Sequence, residues 1–357
     1  MAQSTEQADR TAVREPHTIG IVGAGGIVKA AHLPAYTAAG FSVSAIYDRD
    51  VDRATALAAE FGIPKVCREL AEVLDDSSIE VMDIAVPPEN QSEIVLRAIG
   101  RGKHLLCQKP LARTAVQAEV LVKAAEDAGV KLAVNVSMRW APAMRKTVDL
   151  IRQGAIGDVR TVLFDVKYYE YWNTWPWLVP SDRLVVLFDM IHVLDVTRTI
   201  MGPARSVKAR YGRAEDADVA GETWADIVLD YGGNVIARFD EDSRISPDQT
   251  AVRFRFTGSR GAITGTLGIY YDYPFGRADT FRLIPAGVDD ETVSERELPG
   301  RWVPDVFSET MRALLAAIEH DTVPGNSGRD HLDTLKLVDS IYGAGRLEIL
   351  PHRPRRE

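Results

Sequence analysis

Three groups of residues carry the types and spacing that chemistry needs. The first is Gly23-Ala24-Gly25-Gly26-Ile27-Val28, a glycine-rich turn directly after the apolar run 17–22. Its first glycine permits a tight turn, and its second lets a pyrophosphate approach the backbone with no Cβ in the way. The helix that follows offers free N–H groups and a positive dipole end to phosphate. Val28 stands where the usual G-x-G-x-x-G has its third glycine, and a plain strand-to-helix turn is the alternative. Asp48 closes the next predicted strand, near the ~20-residue distance at which such turns place an acidic residue. Its carboxylate can accept from ribose hydroxyls and repel a 2′-phosphate, which favours NAD over NADP. Arg49 beside it can instead pair with that phosphate or lie over the adenine.

The second group is Gln108-Lys109-Pro110, after a predicted strand over 104–107. Lys109 falls just beyond that strand's carboxyl end, where open α/β sheets bind ligands. Pro110 biases Lys109 away from helical geometry and admits a cis bond. As an ammonium, Lys109 can favour an alkoxide; as a depressed-pKa amine it can take a proton itself. A solvated lysine at a helix start is the alternative. The third group is Asp189, His192 and Asp195, spaced i, i+3 and i+6 on a helix predicted over 184–200. That spacing puts them near one face. His192 can exchange a proton with a hydroxyl near neutral pH, or be a core histidine bonded to backbone. Asp195 reads either as an orienter of His192 or as a contact with the N-terminal domain or half of a salt bridge.

Six aromatics crowd positions 168–177: Tyr168, Tyr169, Tyr171, Trp172, Trp175 and Trp177, in a chain that averages 8%. Such rings offer an apolar face to sugar C–H groups and polar tips to hydroxyls. A core or interface cluster explains them equally well, since strand alternation would turn some of them inward. Asn135, Arg139 and Lys167 are further polar candidates.

Between residues 17 and 135, short apolar runs alternate with helical stretches that stop at Gly40, Gly62, Gly100 and Gly129. The pattern predicts βαβ units and a parallel sheet, with helices over 27–39, 51–61, 90–99 and 114–128. Beyond residue 160 it predicts strands over 161–171, 223–230, 234–240, 252–257 and 262–267, with a hairpin turn at Tyr231-Gly232-Gly233-Asn234. Helices return over 306–320 and 329–342. The expected architecture is α/β: a doubly wound Rossmann domain over 17–136, then an α+β domain over 137–350 with a large open, mostly antiparallel sheet. Residues 1–16 are polar and lack the apolar core of a secretory signal. They read as a disordered leader outside the fold.

The 357 residues carry 42 Lys and Arg against 51 Asp and Glu, a net charge of −9. That balance disfavours a nucleic-acid footprint and an anionic membrane surface as partners. No apolar run reaches the ~20 residues that span a bilayer. Two cysteines, Cys67 and Cys107, make neither a disulfide scaffold nor a multi-cysteine zinc site. The expectation is a cytoplasmic protein with no metal.

These motifs resemble the Gfo/Idh/MocA oxidoreductases. The resemblance rests on Gly23-Ala24-Gly25-Gly26-Ile27, Ala31-His32-Leu33-Pro34-Ala35, Gly102 through Leu111, Arg139-Trp140-Ala141-Pro142 and Gly154 through Val159, and it covers nearly the whole chain. It implies NAD(P)-dependent redox chemistry on sugars or cyclitols and a homodimer or homotetramer formed through the open sheet. Where the family has Glu-Lys-Pro, this chain has Gln108-Lys109-Pro110. Where it has Asp-x-Gly-x-His-x-x-Asp, this chain keeps His192 and Asp195 but has Phe188 and Ile191 at the first Asp and the Gly. Asp189 sits one residue late, so it can substitute only if the helix is rotated or locally bulged. Pro87 and Gln91, where the family often has His at the latter, are expected near the nicotinamide, as are Gln108 and Lys109.

The resulting expectation is an NAD-dependent dehydrogenase of a secondary hydroxyl on a sugar, glycoside or cyclitol, in which Lys109, His192 and Asp189 act on the substrate. Arg139, Tyr168, Trp172 and Trp175 are expected to help bind it. A glycoside-cleaving enzyme that oxidises C3 transiently with bound NAD is the alternative, and a non-catalytic NAD-linked sugar sensor is a third reading.

Overall fold

The computed structural model describes residues 17–274 and 276–350; the leader expected over 1–16 lies outside them. The chain divides into two compact units, residues 17–137 with Val303–Leu335, and Met138–Trp302 with residues 336–350.

The first unit begins with β1 (Thr18–Val22), the helical segment 28–39, β2 (Ser42–Tyr47) and α2 (Val51–Phe61). The helical segment is not the single helix expected. It opens as a π-helical turn, Val28–His32, in which Leu33 N–H donates to Val28 O, and becomes α1 only over Leu33–Ala39. Pro34 lacks an N–H and its ring obstructs the carbonyl four residues back, so an ordinary α-helix does not run through it. By contrast, α2 forms as expected: the Asp50 carboxylate accepts from Arg53 N–H, and Gly62 ends the helix at φ 70°.

There follow β3 (Lys65–Cys67), α3 (Leu70–Leu74), β4 (Val81–Ile84), α4 (Pro88–Ile99), β5 (His104–Gln108), α5 (Ala115–Asp127) and β6 (Leu132–Asn135). All six strands are parallel, in the order β3-β2-β1-β4-β5-β6. This is the strand order of a dinucleotide fold, whose ligand crevice lies at the carboxyl ends where the order reverses. The strands are short apolar runs because both faces are covered. β3 and α3 are too short to leave a periodic signal, and the sequence reading missed both.

The second unit contains α6 (Pro142–Arg152), β7 (Val159–Lys167), α7 (Val185–Phe188), α8 (Ile191–Met201), β8 (Ser206–Ala214), β9 (Trp224–Gly232) and β10 (Val235–Asp242). It continues with β11 (Ala251–Gly258), β12 (Gly261–Thr266), β13 (Thr280–Pro285) and β14 (Arg296–Glu297). Nine strands form one sheet, β14-β13-β12-β11-β7-β10-β9-β8-β15, closed at one edge by β15 (Leu347–Leu350). Most pairs are antiparallel; β7 with β10 and β8 with β15 are parallel. Gly232, Gly233 and Asn234 all take positive φ in the β9–β10 turn, as the hairpin reading requires. Phe164, Phe239, Phe254 and Phe256 meet on the covered face at ring separations of 5.8–6.3 Å. Each such buried ring stabilises the sheet by ~1.5–3 kcal/mol.

Two expectations are corrected here. The helix over 184–200 is two helices, α7 and α8, broken at Asp189 and Met190. Its start is held by Glu222, a residue distant in sequence, whose Oε1 accepts from Leu184 and Val186 N–H at 3.0 Å. The segment Val303–Leu335, carrying α9 (Phe307–Glu319) and the start of α10 (Gly328–Ala344), belongs to the first unit and not the second. Asn326 O accepts from Val134 N–H at 2.8 Å and Ser327 bridges Ala133, so this late segment extends β6. Among the described residues no helix is long and apolar enough to cross a membrane.

Candidate active site

In the first unit, the carboxyl ends of β1, β2 and β5 bring together the glycine turn, Asp48 and Lys109. Gly23 takes φ 111°, and a Cβ there would stand 2.3 Å from Ala85 O. Only glycine fits that turn. A Cβ on Gly25 or Gly26 would meet nothing within 4 Å, so the room a pyrophosphate needs is present. Ile27 is half-buried and starts the helical turn. Asp48 accepts from Ala24 N–H at 2.6 Å and from Asp50 N–H at 2.8 Å. Each bond takes one lone-pair direction on one oxygen, and a carboxylate has about four. Arg49 is exposed. These residues fit a dinucleotide.

Lys109 follows β5 directly, and the Lys109–Pro110 bond is cis. Gln108 Oε1 accepts from Lys109 N–H at 2.7 Å, and Gln108 Nε2 approaches His32 Nε2 at 3.2 Å. His32 is fully buried, with Nδ1 2.6 Å from Asp83 Oδ2. Tyr36 Oη donates to the same oxygen at 2.8 Å, and Asn135 Nδ2 lies 3.3 Å from His32 Nε2. With amide donors at Nε2, His32 donates through Nδ1. Burial, then the Asp83 charge, holds the Tyr36 hydroxyl well above its usual range.

Pro87 caps α4, and its carbonyl accepts from Asn90 and Gln91 N–H. Gln91 is buried, and its Nε2 lies 3.0–3.1 Å from the carbonyls of Gln108, Pro110 and Leu111. Its amide therefore clamps the lysine loop. The His32–Asp83–Tyr36 chain and this clamp were missed in the sequence.

In the second unit, His192 is the second residue of α8. It is 8% exposed, its N–H donates to Asp189 O at 3.1 Å, and its ring stands edge-on to Trp302 at 5.0 Å. Asp195 forms a fork with Arg139, Nε to Oδ2 at 2.5 Å and Nη2 to Oδ1 at 2.7 Å. This is the salt bridge that the sequence left open. The break before α8 takes Asp189 off the helix face it was expected to share with His192. Its carboxylate accepts from the hydroxyls of Tyr168 and, at 3.0 Å, Tyr270.

The aromatic segment is split. Tyr168 and Trp172 are interior, with Trp172 Nε1 donating to Ser243 Oγ at 2.9 Å. Tyr171 and Trp177 are exposed and Trp175 is half-buried. Lys167 pairs with Asp240 at 2.6 Å and Asp165 at 3.3 Å. Three groups near Asp189 were missed: Glu170, Glu241 and Tyr270. Glu241 had a signal, because β10 turns Ala237, Phe239 and Glu241 to one face and the first two are fully buried. Burial and then the Asp189 charge push Glu170 up to about 7 and Glu241 well above the carboxylate range.

Comparison with known proteins matches both parts of the chain to one family. Residues 17–136 match the oxidoreductase family with an NAD-binding Rossmann fold, and residues 144–264 match the GFO/IDH/MocA C-terminal domain. The chain is 28% identical to a D-apiose dehydrogenase of Paraburkholderia graminis, over 86% of this chain and 82% of that one. It is 30% identical to a 1,5-anhydro-D-fructose reductase of Ensifer adhaerens, over 87% and 91%. An oxidoreductase of Agrobacterium radiobacter, solved with NAD+, L-tartaric acid and magnesium, shares the fold with a TM-score of 0.81 at 22% identity, covering 92% of this chain and 96% of that one.

Proposed function

The chain belongs to the Gfo/Idh/MocA oxidoreductases, and from that premise we propose an NAD-dependent dehydrogenase acting on a secondary hydroxyl of a sugar, glycoside or cyclitol. The observation that carries this reading is the common edge of the parallel sheet. Open space at Gly25 and Gly26, the anchored Asp48 and Lys109 all stand at carboxyl ends of its strands. A nicotinamide bound there supplies the hydride acceptor.

The chain's own residues handle the proton and the charge. His192 takes the hydroxyl proton as an imidazole base. Lys109, as an ammonium, stabilises the alkoxide that develops. Gln108 replaces the family's carboxylate with an amide that uses both ends, accepting from Lys109 N–H and facing His32 Nε2. A carboxylate has no donor for that ring nitrogen. The preference for NAD rests on Asp48, whose charge opposes a 2′-phosphate.

The test is Lys109→Ala, assayed with NAD and with NADP on a panel of sugars, glycosides and cyclitols that the wild type oxidises. The variant is expected to lose roughly 10²–10³-fold in kcat while its dinucleotide Kd stays near the wild-type value. Retained kcat overturns the assignment. Aglycone release without net NADH would replace the dehydrogenase with the NAD-recycling cleavage.

A further inference from the structure

Two amide side chains grip the peptide unit that joins Gln108 to Lys109. Its carbonyl, Gln108 O, accepts from Gln91 Nε2 at 3.1 Å. Its N–H, on Lys109, donates to Gln108 Oε1 at 2.7 Å. A backbone N–H can only donate, so Gln108 presents its oxygen to Lys109 and turns its NH2 the other way. That NH2 meets His32 Nε2 at 3.2 Å. The ring nitrogen facing it therefore accepts, and the His32 proton lies on Nδ1, 2.6 Å from Asp83 Oδ2. The main-chain donor of Lys109 thus fixes the tautomer of a histidine 77 positions earlier in the chain.

The backing behind Gln108 is interior. His32, Asp83 and Asn135 are buried, and Asn135 Nδ2 lies 3.3 Å from the same His32 nitrogen. The His32 ring packs on Phe307 at 5.1 Å and on Tyr36 at 5.9 Å. His32 also ends the π-helical turn Val28–His32, a distortion that recurs at functional sites. Asp83 Oδ2 takes the bonds from both His32 and Tyr36, while Oδ1 has no hydrogen-bond partner among the described residues. Two ionisable neighbours of Asp83 keep their protons: burial, then the Asp83 charge, pushes up the Tyr36 hydroxyl and the Cys107 thiol. His32 is thus the member of this cluster that is able to gain a proton.

We propose that His32 is a positioning residue for the oxidation: held by Asp83, its bare Nε2 fixes the Gln108 amide, which fixes the Lys109 N–H and so the direction in which Lys109 leaves the strand end. The inference rests on the dehydrogenase reading, in which Lys109 stabilises the alkoxide. His32 acts through Gln108 and touches no substrate. An ammonium serves an alkoxide only within hydrogen-bond reach, and a shift of about 1 Å in a positioned group can lower a rate by about 10²-fold. Without the His32 acceptor, the Gln108 amide is free to turn. The N–H edge of the peptide then loses its grip, while Gln91 still holds the carbonyl edge.

The experiment compares His32→Gln with His32→Asn in the full chain. A glutamine side chain reaches about as far as Nε2, and an asparagine about as far as Nδ1. His32→Gln therefore keeps an acceptor for Gln108 and gives up the donor to Asp83, whereas His32→Asn keeps the donor and gives up the acceptor. Each loses a buried bond, and both are expected to melt below the wild type. Below those melting temperatures, His32→Asn is expected to lose about tenfold or more in kcat with its dinucleotide Kd near the wild-type value, and His32→Gln to keep most of its kcat. Equal losses of kcat, or losses that follow the melting temperatures, overturn the positioning role. A readout independent of turnover is 15N NMR of the histidine-labelled protein, with the His32 signals assigned by their absence in His32→Gln. The wild type is expected to show Nδ1 protonated and Nε2 bare. Gln108→Glu sets a carboxylate oxygen against that bare nitrogen, and His32 is expected to gain a proton on Nε2. A wild-type ring protonated on Nε2, or a ring unchanged in Gln108→Glu, overturns the proposal even where a variant fails to fold. The expected ring states beside a Lys109→Ala variant that retains kcat support the grip and overturn the dehydrogenase role of Lys109.

Discussion

Replacing Glu170 with Gln should stabilise this protein, and by more as the pH rises. Glu170 Oε1 accepts from Tyr171 N–H at 2.9 Å, and a glutamine oxygen can accept the same bond. What the substitution removes is the titration. Burial, then the neighbouring Asp189, raises Glu170 from the ordinary 4.5 to about 7. A carboxyl raised in the folded state binds its proton more tightly there than when unfolded. Its contribution is therefore full below about pH 4.5 and is lost as pH rises toward 7. At about 1.4 kcal/mol per pH unit, that interval corresponds to a loss of roughly 3 kcal/mol. Glu170→Gln should thus gain on the wild type by about 2–3 kcal/mol between pH 5 and pH 8. For a unit of this size the melting temperatures should diverge by roughly 5–10 °C over the same range. Paired melts of both proteins from pH 5 to pH 8, without sugar, provide the assay. A gap that does not change with pH, or a wild type that leads at pH 8, would refute the account of a carboxyl strained by its surroundings.

Two further outcomes test the first unit. Gly25→Ala places its Cβ in open space, so it should melt like the wild type yet weaken NAD binding about tenfold or more. Gly23→Ala, with a Cβ 2.3 Å from Ala85 O and φ 111°, should melt well below the wild type; equal melting of the two variants would contradict the turn's geometry. Gln91→Leu removes the donor shared by the carbonyls of Gln108, Pro110 and Leu111. It should cost about 1–3 kcal/mol or more in unfolding free energy and lower kcat through a loosened lysine loop, and an unchanged kcat would show that the clamp does not position Lys109.

Much of the first unit was legible in the sequence because its signals are local. The glycine turn, the acidic end of β2 and the lysine after β5 lie within a few residues of the element that places them. The helix Val51–Phe61 was readable for the same reason, since Asp50 and Gly62 end it from within. Gln91 was expected near a nicotinamide, but its clamp was not legible, because its three acceptors lie 17 to 20 residues away. The short β3 and α3 left no period to read.

The sequence by itself determined the alternation that builds the two sheets and the glycine turn of a dinucleotide-binding fold. Each follows from backbone freedom and side-chain period, which act over a turn or a strand. Tertiary structure alone decided how α7 starts, because Glu222 holds the Leu184 and Val186 N–H groups from more than thirty residues away. It alone returned Val303–Leu335 to the first unit, through hydrogen bonds to β6. The meeting of Asp189 and Glu241 belongs to the same class. No residue near Glu241 in the chain signals that Asp189 lies beside it, because burial and charge are properties of a surrounding that only the packed sheet assembles.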